Sequence, residues 1–89
     1  MKVLILYRPN SEHDTAVQDY LREYHARTGR DIELMSLDTK EGASLARLYD
    51  AVDYPVILAL QDDGQLAHMW QGDTMPLIDE VSAFDNKGW

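Results

Sequence analysis

The chain reads as an α/β domain, a four-stranded mixed sheet with three helices in the order β-α-β-α-β-β-α, and three observations carry that expectation. An apolar run, Lys2–Tyr7, is stopped by Pro9 and Asn10. A helical stripe follows at once, with Val17, Tyr20, Leu21 and Tyr24 recurring at i, i+3, i+4 and i+7. Further on, Asp62-Asp63-Gly64-Gln65 separates two apolar segments, and Asp-Gly readily takes the positive φ of a hairpin turn.

Taken in order, Lys2–Tyr7 is apolar on both faces after its first residue, the pattern of a buried central strand. The first helix is expected from about Ser11 to Thr28, with Ser11 as N-cap, Glu12 and Asp14 at the positive end of the dipole, and Gly29 just past the end. Asp31–Leu37 reads as the second strand. Asp38 and Glu41 have capping-box spacing ahead of a helix whose stripe is Leu45, Leu48, Tyr49 and Val52. Tyr54–Leu60 is the third strand, with Pro55 near its start, where a missing donor is tolerated. Leu66–Trp70 returns as the fourth. The last helix has Asp73 or Thr74 as its cap and Pro76 in its first turn, with Leu77, Ile78, Val81 and Phe84 facing inward. One domain spans residues 1–85, and 86–89 form a tail. The first strand-helix-strand unit is expected to be parallel.

Composition narrows the functional classes. With 89 residues there is room for one core, and 45% hydrophobic with 27% charged residues is an ordinary globular balance. No apolar run approaches the ~20 residues of a membrane span, and the start does not read as a signal peptide, so the expected location is the cytoplasm. A net charge of −8 disfavours nucleic acid and anionic membrane, both of which need clustered Lys and Arg. Here Arg22, Arg27 and Arg30 come nearest to a cluster. The absence of cysteine excludes disulfides, cysteine zinc sites and iron–sulfur clusters built from this chain's residues.

Three segments in this order carry a family resemblance. Tyr7-Arg8-Pro9-Asn10 joins the first strand to the first helix. Val52-Asp53-Tyr54-Pro55-Val56 leads into the third strand. Gly64, then Trp70-Gln71-Gly72-Asp73, mark the turn and the approach to the last helix. With the element order from Lys2 to about Asp85, the chain resembles thioredoxin-like domains, and small glutaredoxin-type proteins most closely. The resemblance implies a cis peptide before Pro55 and a groove formed by Ser11, Glu12, His13, Asp14, Tyr54, Pro55, Gly72 and Asp73. It also sets Ser11 and Asp14 where the family's two active-site cysteines stand, so the family's thiol–disulfide chemistry does not carry over.

Each groove residue has a plainer reading beside the functional one. Ser11 is either a ligand contact at a helix N-terminus or simply a helix cap. Asp73 is either part of a site for a glutathione carboxylate or a cap. Pro55 either presents the Tyr54 backbone to an extended peptide or only shapes its loop. Ser11, His13 and Asp14 are not spaced as a catalytic triad, because residues two apart do not share a helix face. His13, His25 and His68 lack metal-ligand spacing, and no metal or cofactor is expected. Three functions remain open. One is a non-catalytic module binding a peptide, protein or small ligand in the groove. Another is a serine-type glutathione-dependent transferase, opposed by the small size and by carboxylates that would repel glutathione. The last is a structural subunit that pairs through exposed apolar surface, Trp89 included.

Overall fold

Every side chain of Val56–Leu60 is buried, although neighbouring residues on a strand point to opposite faces of a sheet. The segment therefore lies in the middle of a three-layer arrangement. In the computed structural model, which describes residues 2–72 and 74–85, it is β3 of a sheet ordered β2-β1-β3-β4. The other strands are β1 (Lys2–Tyr7), β2 (Glu33–Ser36) and β4 (Leu66–Gln71). The helices are α1 (Asp14–Thr28), α2 (Lys40–Leu48) and α3 (Ile78–Asp85). β1 pairs with β2 in parallel, and β3 is antiparallel to both β1 and β4. Among the described residues no helix is long and apolar enough to cross a membrane.

The sheet divides the core in two. Val3, Ile5, Ile57 and Ala59 face Val17 and Tyr24 of α1 and Ile78 and Val81 of α3. Leu4, Leu6, Val56, Leu58 and Leu60 face the other way, against Ala46 of α2, with Leu45, Tyr49 and Tyr54 packed at the margin. Burying each large side chain of this kind contributes about 1.5–3 kcal/mol relative to exposure.

Local chemistry sets the helix ends, and several differ from the expected positions. Ser11 is not the cap of the first helix. Asn10 takes a left-handed φ of 62° and the chain makes an extra turn, in which the Asp14 N–H donates to the Ser11 carbonyl at 3.2 Å. The helix therefore starts at Asp14, with His13 at the N-cap position and no side-chain cap bond. Asp38 is not the cap of α2 either. Thr39 is, its Oγ1 accepting from the Gly42 N–H at 3.0 Å while donating to the Ser36 carbonyl at 2.8 Å.

The stripe of the second helix also ends early. Tyr49 closes α2 and Asp50 turns left-handed at φ 56°, so the Ala51 N–H reaches back to the Ala46 carbonyl at 2.9 Å. Leu48 and Val52 are consequently 68% and 81% exposed, and Gly42 and Ala46 supply the buried face instead. β2 begins two residues later than expected, at Glu33. α3 begins at Ile78, which leaves Pro76 ahead of the helix and Leu77 pointing outward. The expected turn is present, with Gly64 at φ 87° and the Gly64 N–H on the Gln61 carbonyl at 2.9 Å. The Asp73 cap and the 86–89 tail, with Trp89, lie outside the described residues.

Two residues have measurable consequences. A Cβ on Gly42 would overlap the Ser36 carbonyl oxygen, because the first turn of α2 presses on the end of β2. Gly→Ala inside a helix normally stabilises by up to ~1 kcal/mol. Gly42→Ala is expected to reverse that sign and destabilise by about 1–3 kcal/mol, read as a lower midpoint in urea unfolding. Tyr20 packs on the α1/α3 core with its hydroxyl buried and without a hydrogen-bond partner among the described residues, and its pKa is pushed up to about 12, first by burial and then by the Glu80 carboxylate. Because the folded state holds this proton more tightly, the associated stability is complete below the ordinary tyrosine pKa of ~10 and is lost as pH rises towards 12. Tyr20→Phe removes this hydroxyl and is expected to raise stability by about 1 kcal/mol at neutral pH and to flatten the alkaline limb of a stability–pH curve.

Candidate functional site

The β1–α1 connection is held by its own polar groups. The Arg8 N–H donates to His13 Nε2 at 3.0 Å, which leaves the ring proton on Nδ1. The Ser11 hydroxyl donates to the Arg8 carbonyl at 2.6 Å. Asp14 accepts from the Asn10 N–H at 2.9 Å through one carboxylate oxygen and from the Gln18 amide at 3.3 Å through the other. Ser11 and Asp14 are therefore internal ties of this loop. His13 is a third such tie through Nε2, whereas Glu12 is exposed.

Opposite them lies the start of β3. The Tyr54–Pro55 peptide is cis and Pro55 is buried. Glu12, His13, Ala16 and Pro55 line one cavity of about 300 Å³. The Pro55 carbonyl accepts from the Gly72 N–H at 3.1 Å, so Gly72, at φ 106°, is joined to this corner through the backbone. Tyr54 precedes the ladder, which begins at Val56, and its ring packs on the α2 side with the hydroxyl on the Ala51 carbonyl at 3.1 Å. Of the eight residues expected in the groove, Glu12, His13 and Pro55 meet directly, and Gly72 joins through the backbone. Tyr54 precedes Pro55 in the chain and turns its side chain to the α2 side. Ser11 and Asp14 are turned to local bonds, and Asp73 lies outside the described residues.

Two residues of this corner carried no expected role. Ala16 lines the cavity because it sits one turn beyond His13 on the same face of α1. Gln71 holds the approach to the proline: its Oε1 accepts from both the Val52 and the Asp53 N–H, each at 3.1 Å. β4 runs one residue beyond the expected Trp70, which places Gln71 two residues after Met69 and so on the α2 side of the sheet, but no sequence signal names the loop its amide meets.

Chemically, the corner offers a carboxylate at Glu12, the imidazole of His13 and apolar surface. Among its described residues, neither Ser11 nor His13 is arranged as an activated nucleophile. The one O–H of Ser11 is committed to Arg8, and the lone pair at His13 Nε2 is already occupied. The two other histidines are engaged elsewhere, His25 with Asp31 at 2.9 Å and His68 against the rings of Trp70 and Phe84.

The element order, the sheet order and the Pro55 loop at the start of β3 together define a thioredoxin-like fold. Comparison with solved structures finds the same arrangement in thioredoxin 1 from the thermophilic eubacterium Thermosipho africanus, with a TM-score of 0.63 and 15% identity over 98% of this chain and 92% of that one. A malarial protein of known structure is also similar, with a TM-score of 0.59 and 19% identity over 98% and 97% of the two chains. At these identities the likeness is one of fold. No protein-family model matches the sequence, and no curated protein matches it significantly.

The Gln71 contact is testable. Gln71→Ala leaves the Val52 and Asp53 amides without their acceptor, and their hydrogen exchange is expected to accelerate about 5- to 10-fold, the equivalent of roughly 1 kcal/mol, while exchange within β1 and β3 is unchanged.

Proposed function

We propose that this protein is a non-catalytic thioredoxin-like module that binds an extended peptide, or a strand-like segment of a partner protein, in the corner between Pro55 and the start of α1. The observation that carries this reading is the cavity that brings Glu12, His13 and Ala16 onto Pro55. Beside it, Tyr54 lies just before the β3 ladder, where its main chain is placed to meet an extended ligand. Recognition there relies on main-chain pairing and on an apolar floor, with one carboxylate to set side-chain preference. Glu12 and the overall charge of −8 favour a ligand bearing Lys or Arg and disfavour the anionic glutathione tripeptide. The commitment of the Ser11 hydroxyl to Arg8 also removes the donor that a serine-type transferase would direct at a thiolate.

A set of short extended peptides, each with one lysine at a different position, tests the reading by fluorescence anisotropy. Affinity is expected to depend on the position of the lysine and to fall as salt rises. Glu12→Gln should weaken the best peptide about fivefold, the scale of an exposed ion pair. Ala16→Trp fills the cavity and should abolish binding with the fold intact. Peptide uptake that is indifferent to Ala16→Trp, or absent from the unmodified chain, contradicts the proposal.

A further inference from the structure

We propose that the outer edge of β4 pairs with the same edge of a second copy of this chain, antiparallel about a two-fold axis at Trp70. The inference is independent of the Pro55 corner and rests on a contrast between the two edges of the sheet. β2 is guarded in the usual ways: it is only four residues long and opens with Glu33, whose carboxylate is 3.3 Å from Lys2 Nζ. β4 has no such protection. From Gly64 to Gly72 there is no Asp, Glu, Lys, Arg or Pro, in a chain where 27% of residues are charged.

The hydrogen-bond alternation shows which backbone groups point away from β3. In an antiparallel pair, successive positions point alternately towards and away from the neighbouring strand. The Gly72 N–H points to β3, where it meets the Pro55 carbonyl, so Trp70 and His68 point to β3 as well. Met69 and Gln71 then direct N–H and C=O outward. A second copy centred on Trp70 sets Met69 opposite Gln71 of that copy, an exchange of two hydrogen bonds that the two-fold axis repeats. Trp70 meets Trp70 of the second copy at the intervening position, where the strands approach more closely and side chains touch.

The side chains suit that register. The Trp70 ring is half-buried, edge-on to Phe84 at 5.5 Å and tilted against His68 at 4.3 Å, so the paired tryptophans join an aromatic cluster already in place. On the other face, the exposed Val52 adjoins the strand, since its N–H is held by Gln71, and Leu48 stands exposed at the end of α2. The irregularity between Ala59 and Leu60 breaks regular pairing at the Leu66 end of β4, which confines the contact to residues 68–72. Two molecules of charge −8 repel one another, and this uncharged strip is where they can approach. A basic strand, in contrast, would find no carboxylate on β4 to anchor it.

Sedimentation of the full chain from low micromolar to millimolar concentration, in low and high salt, is expected to show a monomer–dimer equilibrium that tightens as salt screens the net charge. Amide exchange gives the specific signature. The Met69 and Gln71 amides should gain protection as concentration rises, while those of His68 and Trp70, bonded to β3, stay constant. Met69→Pro deletes only an outward N–H, which an edge strand tolerates, and should weaken association about thirtyfold, the equivalent of one net hydrogen bond lost from each copy. A chain that stays monomeric throughout overturns the proposal. So does a dimer in which Met69 and Gln71 gain no protection, or one that a folded Met69→Pro variant forms equally well. If Met69→Pro does not fold, the exchange result on the unmodified chain decides. A monomer whose Met69 and Gln71 amides become protected only on adding polylysine overturns it in favour of a basic strand.

Discussion

The strand Val56–Leu60 can exist only if both of its faces are kept from water. Its five side chains are apolar and none is more than 8% exposed, so uncovering either face would forfeit several kcal/mol. One helix layer cannot meet that demand. The chain supplies two, α1 and α3 on one face and α2 on the other, and the order of elements follows from where each must cross the sheet. The Pro55 corner is a by-product of this arrangement. β3 has to begin somewhere between the two layers, and the start of α1 projects over that point because α1 covers the adjoining face.

Much of this was legible in the sequence because it rested on patterns that burial dictates. Runs apolar on both faces marked β1 and β3, and the spacing of Val17 and Tyr24 marked the buried side of α1. The errors fell where two local solutions had similar chemistry. Ser11 and His13 are both workable helix starts, and the choice went to His13 because Asn10 adopts a left-handed turn that no pattern announces. Asp38 and Thr39 are both good caps, and the need to bring side-chain-free Gly42 against Ser36 selected Thr39. The stripe of α2 ran on through Leu48 and Val52 because the residue that breaks it, Asp50, fills a left-handed position usually given to glycine.

The candidate site was legible to a lesser degree, since its members are joined by backbone bonds and by one side chain that spans distant segments. Glu12, His13 and Pro55 could be brought together only through the family resemblance, and the geometry of the loops then sorted them from Ser11 and Asp14. Gln71 could not be assigned a role beforehand, because nothing in a strand residue predicts which loop its amide will bridge. Among the described residues of the β1–α1 loop, the Ser11 hydroxyl and the Asp14 carboxylate are tied to local partners, whereas Glu12 is exposed.

The sheet that separates the two clusters also insulates them. Ile57 and Leu58 are neighbours in sequence, yet each belongs to a different packed compartment, one closed by α1 and α3 and the other by α2. A change of volume on one side is absorbed by its own helices, and the backbone of β3 transmits little of it, because alternate side chains share no partners. Each compartment can therefore exchange its residues through its own series of compensating replacements, without waiting on the other. A framework divided in this way keeps its chain path while its residue identities drift, in keeping with the preservation of its shape at 15% identity to a thioredoxin.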